Sequence, residues 1–317
     1  MKRLPYFFVM FSILFCFSCA TVEKRPAKPV KARTPVFKND LEKALYWFQS
    51  NPELVKEALS RNHVVYYKAG SPHGNYSREF GDEKSIHFPF THFPVWSADR
   101  KSLYLSLNDR KTGEDNIIRL SKNGKVEHVF NYKGNIWYYD VSPDEKQLVI
   151  NIKEDEKYQV WIVNLKDGSL SMFSDPETGG VFPKFSPDGE SIAYVASRKI
   201  RDRDIETGKE SIIVNDNMMV ELPDWSPDGK WIVYQAAEST GSYDIYKVNL
   251  KNGLRTQLTR NPGLDANPCF NKKGDEIIFI RSDNINQGDQ ILALMDADGH
   301  NVRIDTASEK NIYFPTW

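Results

Sequence analysis

Apolar and polar residues alternate along most of this chain in short runs, and polar turn phrases punctuate them at regular intervals. Gln159-Val160-Trp161-Ile162-Val163, Trp231-Ile232-Val233-Tyr234 and Tyr243-Asp244-Ile245-Tyr246-Lys247-Val248 are β-branched and aromatic, as half-buried strands require. Lys166-Asp167-Gly168 and Lys251-Asn252-Gly253 close such strands with hairpin turns. Another turn recurs more strictly. Ser226-Pro227-Asp228-Gly229 follows Leu222-Pro223-Asp224-Trp225, and Ser186-Pro187-Asp188-Gly189 follows Phe182-Pro183-Lys184-Phe185. In this phrase proline presets φ, aspartate bonds back to the backbone and glycine takes the left-handed corner. Val141-Ser142-Pro143-Asp144, Trp96-Ser97-Ala98-Asp99 and Phe270-Asn271-Lys272-Lys273-Gly274 are altered copies.

Aligned on Trp96, Val141, Phe185, Trp225 and Phe270, the copies lie 45, 44, 40 and 45 residues apart. A period in the forties built from short strands predicts a β-propeller, one four-stranded sheet per repeat. Val64-Val65-Tyr66-Tyr67 opens as a second strand without a first, and Tyr313-Phe314-Pro315-Thr316-Trp317 supplies the missing one, 47 residues past Phe270. The pattern predicts an all-β, six-bladed propeller over 63–317, closed by the C-terminal strand. Residues 197–209, SRKIRDRDIETGK, read as a charged, solvated insertion in the fourth blade.

The preceding residues follow other rules. Asn39 caps a helical pattern with Leu41, Leu45, Trp47 and Phe48 apolar, and Pro52 starts another, giving a short helical segment over 37–62. Lys2 and Arg3 precede an apolar run that ends at Ser18-Cys19-Ala20, the form of an export signal over 1–18. Cys16-Phe17-Ser18-Cys19 resembles a bacterial lipobox, with Cys16 where leucine is usual. Cys19 is therefore the expected lipidation site, and residues 19–36, rich in proline and basic residues, form a tether. The expected location is the cell envelope, lipid-anchored on the periplasmic side of the outer membrane, or secreted if Cys19 is not lipidated. Cys269, between Pro268 and Phe270 in a strand, is expected to pack rather than react.

The repeat resembles that of TolB-type propellers, in which Pro-x-Trp-Ser-Pro-Asp-Gly precedes an Ile-Tyr strand and a Leu-Thr ending. Tyr243-Asp244-Ile245-Tyr246 and Gln257-Leu258-Thr259 complete it here. The resemblance covers 63–317 and implies the fold more firmly than a function, because such propellers serve periplasmic docking proteins, peptidase accessory domains and polysaccharide lyases.

Candidate chemistry is sparse. The sequence has no His-Glu-x-x-His, Walker or Gly-x-Ser-x-Gly motif, and six blades leave no room for a separate catalytic domain. No catalytic residue, metal or cofactor is assigned. A formal net charge of −1 offers no basic face for nucleic acid. His63, His87 and His92 are the histidines that share a neighbourhood, and would serve a metal-assisted lyase or hydrolase. The other candidate is the channel mouth, where Phe93, Tyr138, Phe182, Leu222, Asn267 and Phe314 form a ring three residues before the aligned position. One residue before it stand Val95, Asp140, Lys184, Asp224, Cys269 and Thr316. The first ring would take glycan or peptide ends, or would pack between blades. The leading expectation is a monomeric, non-catalytic envelope lipoprotein that touches the membrane through its lipid and docks a protein partner.

Overall fold

In the computed structural model, residues 37–59, 63–69, 72, 74–79, 84–89, 91–215, 217–238, 242–283, 289–306 and 310–317 are described. The export signal, Cys19 and the tether lie outside them. Six antiparallel sheets of four strands follow one another, each a meander between neighbours in sequence. The exception is the first sheet, where Ile312–Thr316 pairs with His63–Lys68, Val65 opposite Thr316 and Lys68 opposite Ile312. The six-bladed ring closed by the C-terminal strand is thus the observed architecture.

Among the described residues the apolar side chains form six clusters, each shared by two consecutive blades. Alternation along each strand exposes apolar residues on both sheet faces, so a blade is stable only between two neighbours. Phe279, Tyr194 and Tyr234 are wholly buried in such seams. Two helices fill the seam between blades one and two: α1 (Asp40–Ser50) and α2 (Pro52–Ala58). Asn39 caps α1, accepting the Glu42 N–H at 2.9 Å, and Pro52 starts α2. Ala44, Phe48, Val55 and Ala58 face blade-one and blade-two residues such as Val65, Phe88 and Leu105.

The Ser-Pro-Asp-Gly turn is a closed hydrogen-bond unit. The Ser226 hydroxyl donates to Asp228 at 2.7 Å and accepts the Trp231 N–H at 2.9 Å, while Asp228 accepts the Lys230 N–H at 3.1 Å. Ser97, Ser142 and Ser186 repeat it, and in blade six Asn271 takes the serine's place, accepting the Asp275 N–H. The Ser226 hydroxyl and then the Lys230 ammonium push Asp228 down to about 2.

The fourth blade corrects one expectation. Residues 197–209 are no insertion: Ser197 and Arg198 make a tight turn with φ of 51° and 61°, and Lys199–Asp204 is the third strand. Arginine and aspartate alternate there as in a loop, but Ile200 is buried and the Arg203 guanidinium lies over the Phe173 ring at 5.3 Å. The strand is amphipathic because arginine stems cover apolar surface as leucine would.

Two outcomes are expected. Ile312 is fully buried at the closure, so Ile312→Asp should cost roughly 3–5 kcal/mol in chemical denaturation and promote self-association through the freed edge, visible by gel filtration. Because the folded state holds Asp228 below its unfolded value, its stabilisation is complete above that value and lost as pH falls between about 4 and about 2. Asp228→Asn should flatten acid unfolding across that window, measured by circular dichroism.

Candidate functional site

The channel chemistry starts from a defect repeated in the inner strands. Pairing with the second strand slips between Glu221 and Asp224, Val181 and Lys184, Ala266 and Cys269, and His92 and Val95. The closing strand slips likewise between Tyr313 and Thr316, and at each of these five slips one residue takes a left-handed backbone: Phe93, Phe182, Leu222, Asn267 and Phe314 have φ of 41°, 54°, 50°, 53° and 50°. A bulge leaves a backbone donor unpaired and re-aims a side chain. Pro94, Pro183, Pro223, Pro268 and Pro315 follow these residues and have no N–H to lose. Each left-handed residue with a side chain costs about 1–2 kcal/mol, which the surrounding ladder offsets. Blade three lacks the proline, and Tyr138 has no positive φ.

The expected ring therefore faces inward, and its aromatic members touch each other. Phe93 lies 4.8 Å from Phe314 and 6.4 Å from Tyr138, centroid to centroid, and Tyr138 meets Phe182 at 5.7 Å, edge to face. Asn267 ties the polar side: its N–H donates to Gln235 at 2.8 Å, and its side-chain oxygen accepts the Phe314 N–H at 3.1 Å. The cavity bounded by Tyr138, Lys184, Asp224, Asn267 and Phe314 holds about 40 Å³. Small-molecule pockets need ~300–1,000 Å³, so these rings pack against one another and leave space for water. A shallow depression of about 320 Å³ lies outside Phe182, lined also by Tyr158, Arg198 and Glu221.

The second ring carries the charge. Lys184 Nζ lies 3.1 Å from Asp140 and 3.7 Å from Asp224. Asp140 also accepts the Phe185 N–H at 3.0 Å, and Asp224 the Phe270 N–H at 2.9 Å, so each carboxylate clamps the next blade. Burial alone would drive Lys184 down, but the two carboxylates outweigh it and hold the ammonium well above the usual lysine value. Burial pushes Asp224 up against the pull of Lys184, and pushes the Cys269 thiol up to about 12. A thiol so protonated is a poor nucleophile, in keeping with packing.

Of the three candidate histidines, the side chain of His63 lies outside the described residues. His87 stacks on Tyr76 at 4.6 Å in blade one, while His92 sits in the inner strand of blade two against Tyr67 at 5.0 Å. No group of three or more His, Cys, Asp or Glu side chains is placed to hold a metal among the described residues. Sequence reading missed the interblade roles of Gln235 and Tyr139, whose hydroxyl donates to the Phe93 carbonyl at 2.7 Å. Neither belongs to the recurring phrase, and nothing in a single strand's pattern shows what the next blade needs.

Lys184→Met should leave two buried carboxylates without their cation and cost roughly 3–5 kcal/mol. Burial already pushes Asp224 up, and without the pull of Lys184 it would rise further, so the variant should lose further stability as pH rises above about 4. Denaturation at acid and neutral pH checks this; a pH-independent loss would mean that the lysine acts by packing.

Residues 181–317, blades four to six with the closing strand, match the TolB beta propeller domain family. The Tol-Pal system protein TolB of Francisella tularensis subsp. tularensis (strain WY96-3418) is 27% identical over 278 residues. The match covers 80% of this chain and 63% of that protein, so the chain spans under two thirds of its curated relative. Among solved structures, TolB from Acinetobacter baumannii superposes with a TM-score of 0.68 at 16% identity, over 80% of this chain and 66% of that one. An oligogalacturonate lyase in complex with manganese gives 0.52 at 14% identity, over 74% and 73%. These two likenesses concern the fold. Residues 181–317 thus carry a TolB beta propeller domain, and the bulged inner strands and the repeated turn continue the same blade architecture around the ring.

Proposed function

We propose that this protein is a non-catalytic lipoprotein of the cell envelope, anchored through Cys19 on the periplasmic side of the outer membrane, whose propeller docks a protein partner. The observation that carries the reading is the packed channel. Contacts among Phe93, Tyr138, Phe182 and Phe314, and the ion-paired Asp140–Lys184–Asp224 network, turn the interior of the ring to structural use. What remains for recognition is the rim, where short turns are held rigid by their own hydrogen bonds, so binding a partner costs little ordering entropy. The relative's name, a protein of the Tol-Pal system, supports a place in an envelope assembly. Glycan or peptide ends at the channel mouth are the second reading, supported by the depression beside Phe182.

Crosslinking in intact cells, followed by reconstitution with purified components, tests docking. One partner should be captured and should bind the purified protein as a one-to-one complex by analytical ultracentrifugation. Cys19→Ala should abolish metabolic labelling with palmitate and release the protein from membranes. Absence of any stoichiometric protein complex, with glycan fragments binding instead, would favour the channel-mouth reading.

A further inference from the structure

The face that carries the Ser-Pro-Asp-Gly turns is uneven. In blades two to six the inner strand runs directly into its neighbour through such a turn. In blade one the paired strands Ile312–Thr316 and His63–Lys68 come from opposite ends of the sequence, and no such turn joins them. In its place is a groove of about 1410 Å³, lined from the turns of blades two and six and by Trp96 and Trp317. The volume exceeds the ~300–1,000 Å³ of small-ligand pockets and suits a polymer segment.

Seven Lys or Arg side chains line it against three Asp or Glu. Three pairs absorb part of this charge: Lys101 with Asp99 at 2.9 Å, Arg119 with Glu145 at 3.5 Å, and Arg303 with Glu276. Lys272 reaches the Asp99 carbonyl at 3.2 Å, so the two rims meet over blade one. Arg100 is different. Its guanidinium lies over the Trp96 ring at 5.7 Å, and no carboxylate stands within salt-bridge distance among the described residues.

Its backbone is strained, as that of Glu145 is at the same corner in blade three, with φ of 56°. Gly189, Gly229 and Gly274 fill the left-handed corner in sister turns, with φ of 77°, 69° and 75°, and Arg100 holds the same corner at 59°. A side chain kept where glycine is easier points to a use for that side chain. Beside it, the rings of Trp96 and Trp317 line the groove, and among the described residues their buried indole N–H groups meet no acceptor.

We propose that this groove docks an acidic, extended segment of a partner protein, with Arg100, Lys272 and Lys273 taking carboxylates and the Trp96 and Trp317 rings packing against its backbone. The proposal rests on the docking function above and locates it. Excess positive charge selects acidic sequence and speeds encounter.

The test uses the full-length protein in detergent, with fluorescein-labelled poly-glutamate and poly-lysine peptides followed by anisotropy, and polygalacturonate as competitor. Poly-glutamate should bind, poly-lysine should not, and tryptophan emission should shift on binding. Arg100→Gly should weaken binding at least about tenfold, as should Lys272→Ala combined with Lys273→Ala. Because Arg100→Gly restores the corner glycine, that variant should melt no lower than the parent, which separates lost binding from lost folding. Unchanged affinity in both variants, equal binding of poly-lysine, or tighter binding of polygalacturonate would overturn the proposal. Capture of the cellular partner that survives Arg100→Gly would overturn the groove alone and leave docking intact. Peptide binding without any cellular partner would count against docking itself.

Discussion

A ring of separate sheets has no open seam only if the first and last strands of the chain meet within one blade. Here Ile312–Thr316 lies along His63–Lys68, and the blade they complete shares one apolar seam with blade two and another with blade six. Every cluster of buried side chains belongs to two blades, so none can form fully unless the next one does. Helices α1 and α2 enter the same economy: they fill the seam beside the closing blade, where Phe48 and Leu59 are completely buried.

Closure also governs the channel. Six inner strands brought to one axis would crowd their backbones, and the repeated bulge answers this by turning one residue inward at each strand. Proline beside the bulge removes a donor that would otherwise be buried unpaired. The same geometry aligns Asp140 with Phe185 and Asp224 with Phe270, so that charge and backbone donor are satisfied between blades rather than within them. Lys184 is tolerated at the centre because two carboxylates and a low local dielectric reinforce each other.

A consequence is that the interior is committed to structure, which leaves the surface for the docking proposed above. The closing blade breaks the symmetry of one face, because strands from opposite ends of the sequence cannot share a turn. The groove at that break gathers basic side chains from blades that are not neighbours in sequence.

Much of this was legible in the residues. The period of the Ser-Pro-Asp-Gly phrase determined the blade count, because one phrase marks one turn between inner strands. The register of Trp317 determined closure, and Asn39 with Pro52 determined the helices. Counting back from the aligned position also named residues whose aromatic members touch one another, Phe93 with Phe314 and Tyr138 with Phe182. Three matters were decided only by tertiary structure. Arg and Asp alternate at 199–204 as they do in loops, and only packing on Phe173 made that stretch a strand. Whether Phe93, Tyr138 and Phe314 line an opening or fill it depends on the distance across the axis, which no single repeat contains. Arg100 looked like an imperfect copy of a glycine; that it lines one groove with Trp317, more than two hundred residues away, shows only when the ring is closed. Local sequence encodes local hydrogen bonds, whereas unmet ones appear only when distant strands are brought together.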